Sequence, residues 1–369
     1  MLGGMTETPE KSPSEPPQRP DRHERDDSAD MERDTIALPS HVAGSGTLDR
    51  LVETARDYAR QAASENTLKA YTKDWAHFAR WCRMRGADPL PSSPQLIGLY
   101  IADLAAPGGK ARALSVSSIE RRLSGLTWGY AQRGERLDRK DRHIASVLAG
   151  IRRKHARPPA QKEAILPEDL RDMLATLPHD LRGLRDRAIL LIGFAGGLRR
   201  SEIVSLDHGK DDTPDSGGWV EILEDGVLLT LRGKTGWREV EIARGSSDQT
   251  CPVHALTQWL HYARIDFGPI FVATSRNGLK ATSERLSDKH VARLIKSCAR
   301  EAGLRPDLPE AERVRLFSGH SLRAGLASSA EVDERYVQKQ LGHASAEMTR
   351  RYQRRRDRFR VNLTKAAGL

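Results

Sequence analysis

From Glu65 onward, apolar side chains recur at intervals of three and four: Leu68, Tyr71, Trp75, Phe78 and Trp81. That spacing places them on one face of a helix, with Ser64 positioned to cap its start and Gly86 to stop it. The same periodicity returns at about 93 to 104, at about 117 to 133 on Ile119, Leu123, Leu126 and Tyr130, and at about 141 to 155. With no strand-like alternation between them, these segments predict a small helical domain over 47–155.

The stretch Arg-Lys-His-Ala-Arg-Pro-Pro-Ala-Gln-Lys-Glu-Ala follows, where Pro158 and Pro159 oppose helix and favour an extended path. It reads as a linker over 156–165. Ten extended residues reach roughly 33 Å, enough to let two domains stand apart. Beyond it, a helix is expected after Pro167, then one through Leu184, Ile189, Leu191 and Ile192 that is apolar nearly all round and therefore central, ended by Gly196 and Gly197.

The period then changes to two. Segments 219–224, 226–232 and 238–242 alternate as strands, with Gly233-Lys234-Thr235-Gly236 as the tight connection between the last two. Helices return after Arg285. The fold class expected is mainly α with a small antiparallel sheet (α+β): a helical domain followed by a mixed domain over 166–369. Ahead of both, residues 1–46 carry Pro9, Pro13, Pro16, Pro17, Pro20 and Pro39 among charged residues and few large apolar ones. Such a stretch buries too little surface to offset its ordering entropy and is expected to be disordered.

Charge sharpens this picture. The 369 residues carry a formal +10, yet residues 1–46 hold five Lys or Arg against ten Asp or Glu, which leaves the remainder near +15. A basic body with an acidic leader points to a polyanionic partner. Nucleic acid comes before membrane, because no apolar run is long enough to span a bilayer. No secretory signal pattern opens the chain. Cys82, Cys251 and Cys298 are few, odd in number and scattered, as in a reducing compartment. Cys251 with His254 and His261 matches no common zinc spacing, and the helical face of Leu256, Trp259 and Leu260 makes it a core thiol instead.

The candidate chemistry lies in the second region. Arg199 opens a short helix in Gly-Leu-Arg-Arg-Ser-Glu, with Glu202 one turn on, able to orient the guanidinium. Lys234 occupies a hairpin tip. His320 and Arg323 fall three apart, on one helical face, where both can address the same anion. His343 and Tyr352 are nine apart and would face opposite ways on an unbroken helix. Gly342 and Ser345 supply the break, with Glu347 in the next first turn. Transfer of a phosphodiester needs an attacking oxygen, cations for the non-bridging oxygens and an acid for the leaving oxygen, and each role has a candidate. Basic side chains for the DNA backbone are Lys69, Lys73 and Arg80 on the first long helix, Arg152, Arg153 and Lys154 at the linker, and the run from Arg350 and Arg351 to Arg360. Taken singly, each also fits an ordinary solvated surface.

Four motifs in order, Gly-Leu-Arg-Arg-Ser-Glu, the Gly-Lys-Thr-Gly hairpin, His-Ser-Leu-Arg-Ala-Gly, and Leu-Gly-His followed nine residues later by Tyr352, resemble the tyrosine recombinase or phage integrase family. The resemblance covers about 165 to the end closely; Asn66-Thr67-Leu68-Lys69-Ala70-Tyr71 resembles the family's core-binding domain more loosely. It implies that Tyr352 would attack the scissile phosphate to form a 3′-phosphotyrosyl bond, and that Arg199 and Arg323 would hold the non-bridging oxygens. His320 and His343 would divide proton removal from the phenol and donation to the phosphate, Lys234 would protonate the leaving 5′ oxygen, and Glu202 would support the arginines.

The resemblance also implies specific double-stranded DNA sites, a tetramer on DNA in which the stripe Val361, Leu363, Ala366, Ala367 and Leu369 docks on a neighbour, a cytoplasmic, nucleoid-associated setting, and neither metal nor ATP. In keeping with the last point, the chain has no phosphate-cradling glycine loop followed by Lys-Ser or Lys-Thr and no clustered Asp or Glu set for two-metal chemistry. A type IB topoisomerase and a non-catalytic DNA-binding regulator are the competing readings.

Overall fold

Short polar caps start the helices of the first part of the chain. Ser93 Oγ accepts from the Leu96 N–H at 3.3 Å and Asp141 Oδ1 from the His143 N–H at 2.8 Å, satisfying donors that a helix start leaves open. These caps open α3 (Pro94–Ala105) and α5 (Arg142–His155), which accompany α1 (Asp49–Gln61), α2 (Glu65–Arg83) and α4 (Val116–Ala131). Ser64 does begin α2, but its hydroxyl bonds Thr67 Oγ1 at 2.8 Å rather than a backbone N–H. The computed structural model describes residues 48–108, 112–158, 161–233, 236–330, 332–342, 345–348 and 350. The acidic leader, Lys234, His343, Arg351, Tyr352 and the apolar tail therefore lie outside the described residues. The chain divides into two compact units, Met1–Pro159 and Ala160–Leu369.

In the first unit α2 packs on α4 and α3 on α5. An aromatic cluster fills the space between them, with Trp75 against Tyr130 and Phe78 against Tyr100, each edge to face at 5.0 Å between centroids. Gly129 permits the closest approach, since a Cβ there would lie 2.4 Å from Trp75 Cε3. One polar residue of α2 is inside: Asp74 is buried and takes both terminal nitrogens of Arg121, with Arg122 beside it. Part of the arginine content of α4 thus neutralises an interior carboxylate, a role that helical periodicity alone does not reveal.

The second unit takes up the chain directly after the boundary. Glu163 and Ile165, which the sequence assigns to the linker, donate backbone N–H groups to the Leu316 and Ser321 carbonyls at 3.1 Å each, and Ile165 is fully buried. Then come α6 (Pro167–Ala175), α7 (Leu181–Ala195) and α8 (Arg200–Val204). As its all-round apolar pattern requires, α7 is central: Ala188 to Ile192 are buried, and α9 (Pro252–Ala263) lies against it.

The sheet has four strands, not three. β1 (Leu206–Asp207) runs parallel to β2 (Gly218–Ile222), and β2, β3 (Gly226–Gly233) and β4 (Gly236–Ala243) form an antiparallel meander. The register pairs Gly233 with Gly236, fixing the hairpin expected around Lys234. A two-stranded ribbon, β5 (Val272–Thr274) with β6 (Ala281–Arg285), stands outside the sequence expectation; its strands are short and only Val272 is buried, so they carry little apolar alternation. The unit ends with α10 (Asp288–Glu301), α11 (Glu310–Leu316), α12 (His320–Ser329) and α13 (Glu334–Leu341). All three cysteines are buried, and Cys251 Sγ caps α9 by accepting from the His254 N–H at 3.4 Å, as befits a core thiol. Among the described residues no helix is long and apolar enough to cross a membrane.

Candidate active site

The end of α7 builds the site. Gly193 lets α8 and α12 approach, with Ile203 Cδ1 and Leu322 Cδ1 at 2.8 and 3.0 Å from where a Cβ would stand. Gly197 then turns the chain at φ +56°, a left-handed conformation that a side chain disfavours. Two residues later Arg199 occupies the N-cap of α8, its backbone N–H donating to Glu202 Oε2 at 2.8 Å and its Nη1 to Oε1 at 2.6 Å. Glu202 is buried while the Arg199 side chain keeps about a third of its surface, 34%, open to solvent. The carboxylate is therefore a brace and the guanidinium a presented group.

A second arginine shares that carboxylate. Arg238, near the start of β4, donates from Nη2 to Glu202 Oε2 at 3.0 Å and from Nη1 to the Gln340 carbonyl at 2.6 Å. Burial pushes the Glu202 carboxyl up, but the Arg199 N–H and the charges of Arg238 and Arg199 outweigh it and hold the group below its ordinary range. Sequence reading did not single out Arg238, although a signal existed. It has the same parity as Val240 and Ile242, the buried positions of β4, and so sits on the inward side of the strand.

Arg323, three residues into α12, is almost completely buried. Its Nη1 donates to the Gly197 carbonyl at 2.6 Å and its Nη2 to the Leu341 carbonyl. Both turns of the site thus converge on this guanidinium. The final carbonyls of α13, Gln340 and Leu341, which a helix leaves without internal donors, are taken by Arg238 and Arg323, the charge type favoured at a helix C-terminus. Gly342 ends α13 in the left-handed conformation expected of it, φ +58°, and helix resumes at Ala346. His320, at the start of α12, is solvent-accessible; partial burial, then the charges of Arg323 and Arg199, lower its pKa below 6.5 and favour the neutral ring.

The structure therefore brings together Arg199, Glu202, Arg323 and His320, and adds Arg238. Of the basic residues expected on DNA, Lys69, Lys73, Arg80, Arg153 and Lys154 are exposed. Lys69 pairs with Glu65 on its own helix, Arg152 with Glu120 at 2.6 Å, and Arg350 with Glu334 at 3.1 Å. Exposed pairs of this kind hold weakly enough to exchange for phosphate.

Carboxylate-braced arginines beside an imidazole whose pKa is lowered, on a basic chain, form a site whose charge suits an anion. The phage integrase family matches residues 163–358. An integrase/recombinase described as a XerD homologue from Selenomonas ruminantium is 34% identical over 328 residues, covering 85% of this chain and 89% of the relative. The tyrosine recombinase XerD of Bradyrhizobium diazoefficiens is 26% identical over 314 residues, covering 80% and 87%. By these likenesses the chain belongs to the phage integrase family and is a tyrosine-type site-specific DNA recombinase.

Solved structures agree in fold. The XerH recombinase bound to a palindromic difH substrate has a TM-score of 0.52 at 17% identity, over 82% of this chain and 79% of that one. A lambda integrase fragment bound to a core site has a TM-score of 0.51 at 17% identity, over 85% and 96%.

Proposed function

We propose that this recombinase cuts and rejoins DNA through a covalent bond between Tyr352 and the 3′ phosphate of the cut strand. The phenolic oxygen forms the new P–O bond, the bond to the 5′ oxygen breaks, and the reverse attack by a 5′ hydroxyl restores a phosphodiester. The phenol needs help, because with a pKa of about 10 it is ionised to about one part in a thousand at neutral pH.

His320 suits the role of proton acceptor. Partial burial and its arginine neighbours keep the ring neutral near pH 7, so that it is basic and uncharged before reaction. Arg199 and Arg323 stabilise the charge that grows on the non-bridging oxygens, His343 donates to one of them, and Lys234 returns a proton to the leaving 5′ oxygen. The energy of the phosphodiester is kept in the phosphotyrosyl bond, so the cycle needs neither ATP nor a metal ion.

The observation that carries this reading is the double hold of Glu202 on Arg199, which fixes a partly exposed guanidinium for an anion. The helical unit grips the core site through Lys69, Lys73, Arg80, Arg152, Arg153 and Lys154, with Arg350 and Arg351 on the backbone near the nucleophile. Residues 166–369, beyond the 156–165 linker, perform catalysis. Four copies assemble on DNA with residues 361–369 docked on neighbours, and the protein acts in the cytoplasm on the nucleoid.

The test is to trap covalent adducts from host DNA and sequence the attached 3′ ends. A discrete set of sites recovered with the parent chain, and none with Tyr352→Phe, is the expected result. Adducts that persist in the Phe variant would remove the tyrosine from the mechanism, and adducts spread without sequence preference would favour a topoisomerase.

A further inference from the structure

Arg238 occupies a position that the proposed chemistry has not used. Its side chain is largely buried, 13% exposed, and spans two parts of the site that are far apart in sequence. One end shares Glu202 with Arg199; the other holds the Gln340 carbonyl, three residues before His343. Between these ends its aliphatic and guanidinium atoms lie against Gly342, where a Cβ would stand 2.7 Å from Arg238 Cδ and 2.9 Å from Nε. Glycine at 342 is thus needed twice, for the left-handed turn and for the room the arginine takes. Nε itself is buried and meets no acceptor among the described residues. A buried donor without a partner is a cost to stability, so the arginine is not optimised for stability alone.

A second connection runs parallel to it. Gln340 Nε2 donates to the Ala195 and Glu241 carbonyls at 3.2 and 3.1 Å, tying the last turn of α13 to the end of α7 and to β4. The C-terminal turn of α13 is therefore anchored to the sheet and to the Arg199 turn by planar groups of fixed geometry. A lysine cannot reproduce this, because a single ammonium has no fork with which to bridge a carboxylate and a carbonyl on opposite sides.

We propose that Arg238 is a positioning residue for strand cleavage, setting the distance between the Arg199–Glu202 pair and the C-terminal turn of α13 at Gln340–Gly342. The proposal rests on the recombinase mechanism given above and adds to it a bridge between the Arg199 brace and the α13 turn whose Leu341 carbonyl holds Arg323, the two arginines assigned to one phosphate. Outer residues that orient a metal ligand typically contribute about 10–100-fold, and an effect of that order is expected for Arg238.

The experiment uses the full-length chain and a nicked suicide duplex carrying a site recovered by adduct trapping. It measures single-turnover cleavage at saturating protein, duplex affinity and thermal melting for Arg238→Met, Arg238→Lys, Glu202→Gln and the double variant Arg238→Met/Glu202→Gln. Arg238→Met is expected to cleave about 10–100-fold more slowly with duplex affinity within about threefold of the parent. Arg238→Lys is expected to fold, to bind equally and to recover only part of the rate. The double variant should be little slower than the slower single variant, because both substitutions break one bridge.

Cleavage by Arg238→Met within twofold of the parent overturns the proposal, as does loss of rate and affinity by the same factor. Should Arg238→Met fail to fold, Arg238→Lys decides: full parental rate there overturns the bridge, and a reduced rate at unchanged affinity supports it. A parent chain that leaves the duplex uncut refutes the recombinase mechanism itself, a result distinct from any of these.

Discussion

Arg199 and Glu202 are joined twice, once through the Arg199 backbone N–H at 2.8 Å and once through its Nη1 at 2.6 Å. Arg323 is held differently, with two donors committed to the carbonyls of Gly197 and Leu341. The two arginines should therefore fail in different ways. Arg199→Ala removes a partly exposed group and one donor to Glu202, so cleavage should fall by about a hundred- to a thousand-fold with DNA affinity little changed and a smaller drop in melting temperature than Arg323→Ala shows. Arg323→Ala should lose cleavage to the same degree and also melt earlier, since two buried carbonyls lose their donors at about 1–3 kcal/mol each. Cleavage of a suicide duplex and thermal melting, run on both variants, check the contrast. Equal melting temperatures would contradict the buried bonding of Arg323.

Glu202 gives a dependence on acidity. Burial raises its pKa, but the Arg199 N–H and the charges of Arg238 and Arg199 take it below the ordinary 4.5. A carboxyl depressed in the folded state contributes stability that is present above the unfolded pKa and is lost as pH falls through the folded one. Glu202→Gln should therefore melt below the parent at pH 7, and the gap should close below about pH 4 as the parent's carboxyl takes up a proton. Melting curves from pH 7 to 3 measure it, and a gap that stays constant would show that charge at Glu202 is not what stabilises the turn.

Much of this arrangement is written in local sequence. Trp75, Phe78 and Trp81 announce a helix face by spacing alone, and the glycines at 197 and 342 mark turns because left-handed backbone excludes most side chains. The four-motif order locates Arg199, His320 and Arg323 within one unit before any coordinates. Other features depend on partners distant in sequence. Asp74 looks like a solvent-facing residue of α2 until Arg121, 47 residues away, is brought against it. Arg238 is joined to Gln340 across 102 residues, and nothing near either one in sequence foretells that bond. The β5–β6 ribbon escaped for a different reason, its strands being too short and too exposed for a period of two to register.

His320 predicts the acid limb of activity. Partial burial, followed by Arg323 and Arg199, lowers its pKa from 6.5, so the folded chain resists charging the ring. A histidine depressed in the folded state costs stability only as pH falls from the unfolded pKa toward the folded one, and above both it is neutral and without penalty. If the neutral ring accepts the phenolic proton, single-turnover cleavage should hold steady from pH 8 to about 6.5 and decline only below that. In His320→Gln the residual rate should lose this decline. A limb that remains unchanged in the Gln variant would assign the titration to another group.

Gly197 links backbone conformation to catalysis. At φ +56° an added methyl meets the left-handed penalty, about 1–2 kcal/mol, and would also stand 2.4 Å from Leu341 Cδ2 and 2.9 Å from Leu326 Cδ2. Gly303 in the same unit has φ +68° with nothing within 4 Å of its virtual Cβ, so Gly303→Ala carries the backbone cost alone. Gly197→Ala should lose more stability than that control by about 1–3 kcal/mol, the usual cost of overfilling a packed interior. It should lose cleavage as well, because both carbonyls that hold Arg323 belong to the displaced residues, Gly197 and Leu341. Denaturant melts and suicide-duplex cleavage on the pair of variants test both halves. Should Gly197→Ala cleave as fast as Gly303→Ala, the Arg323 guanidinium does not depend on this turn for its placement.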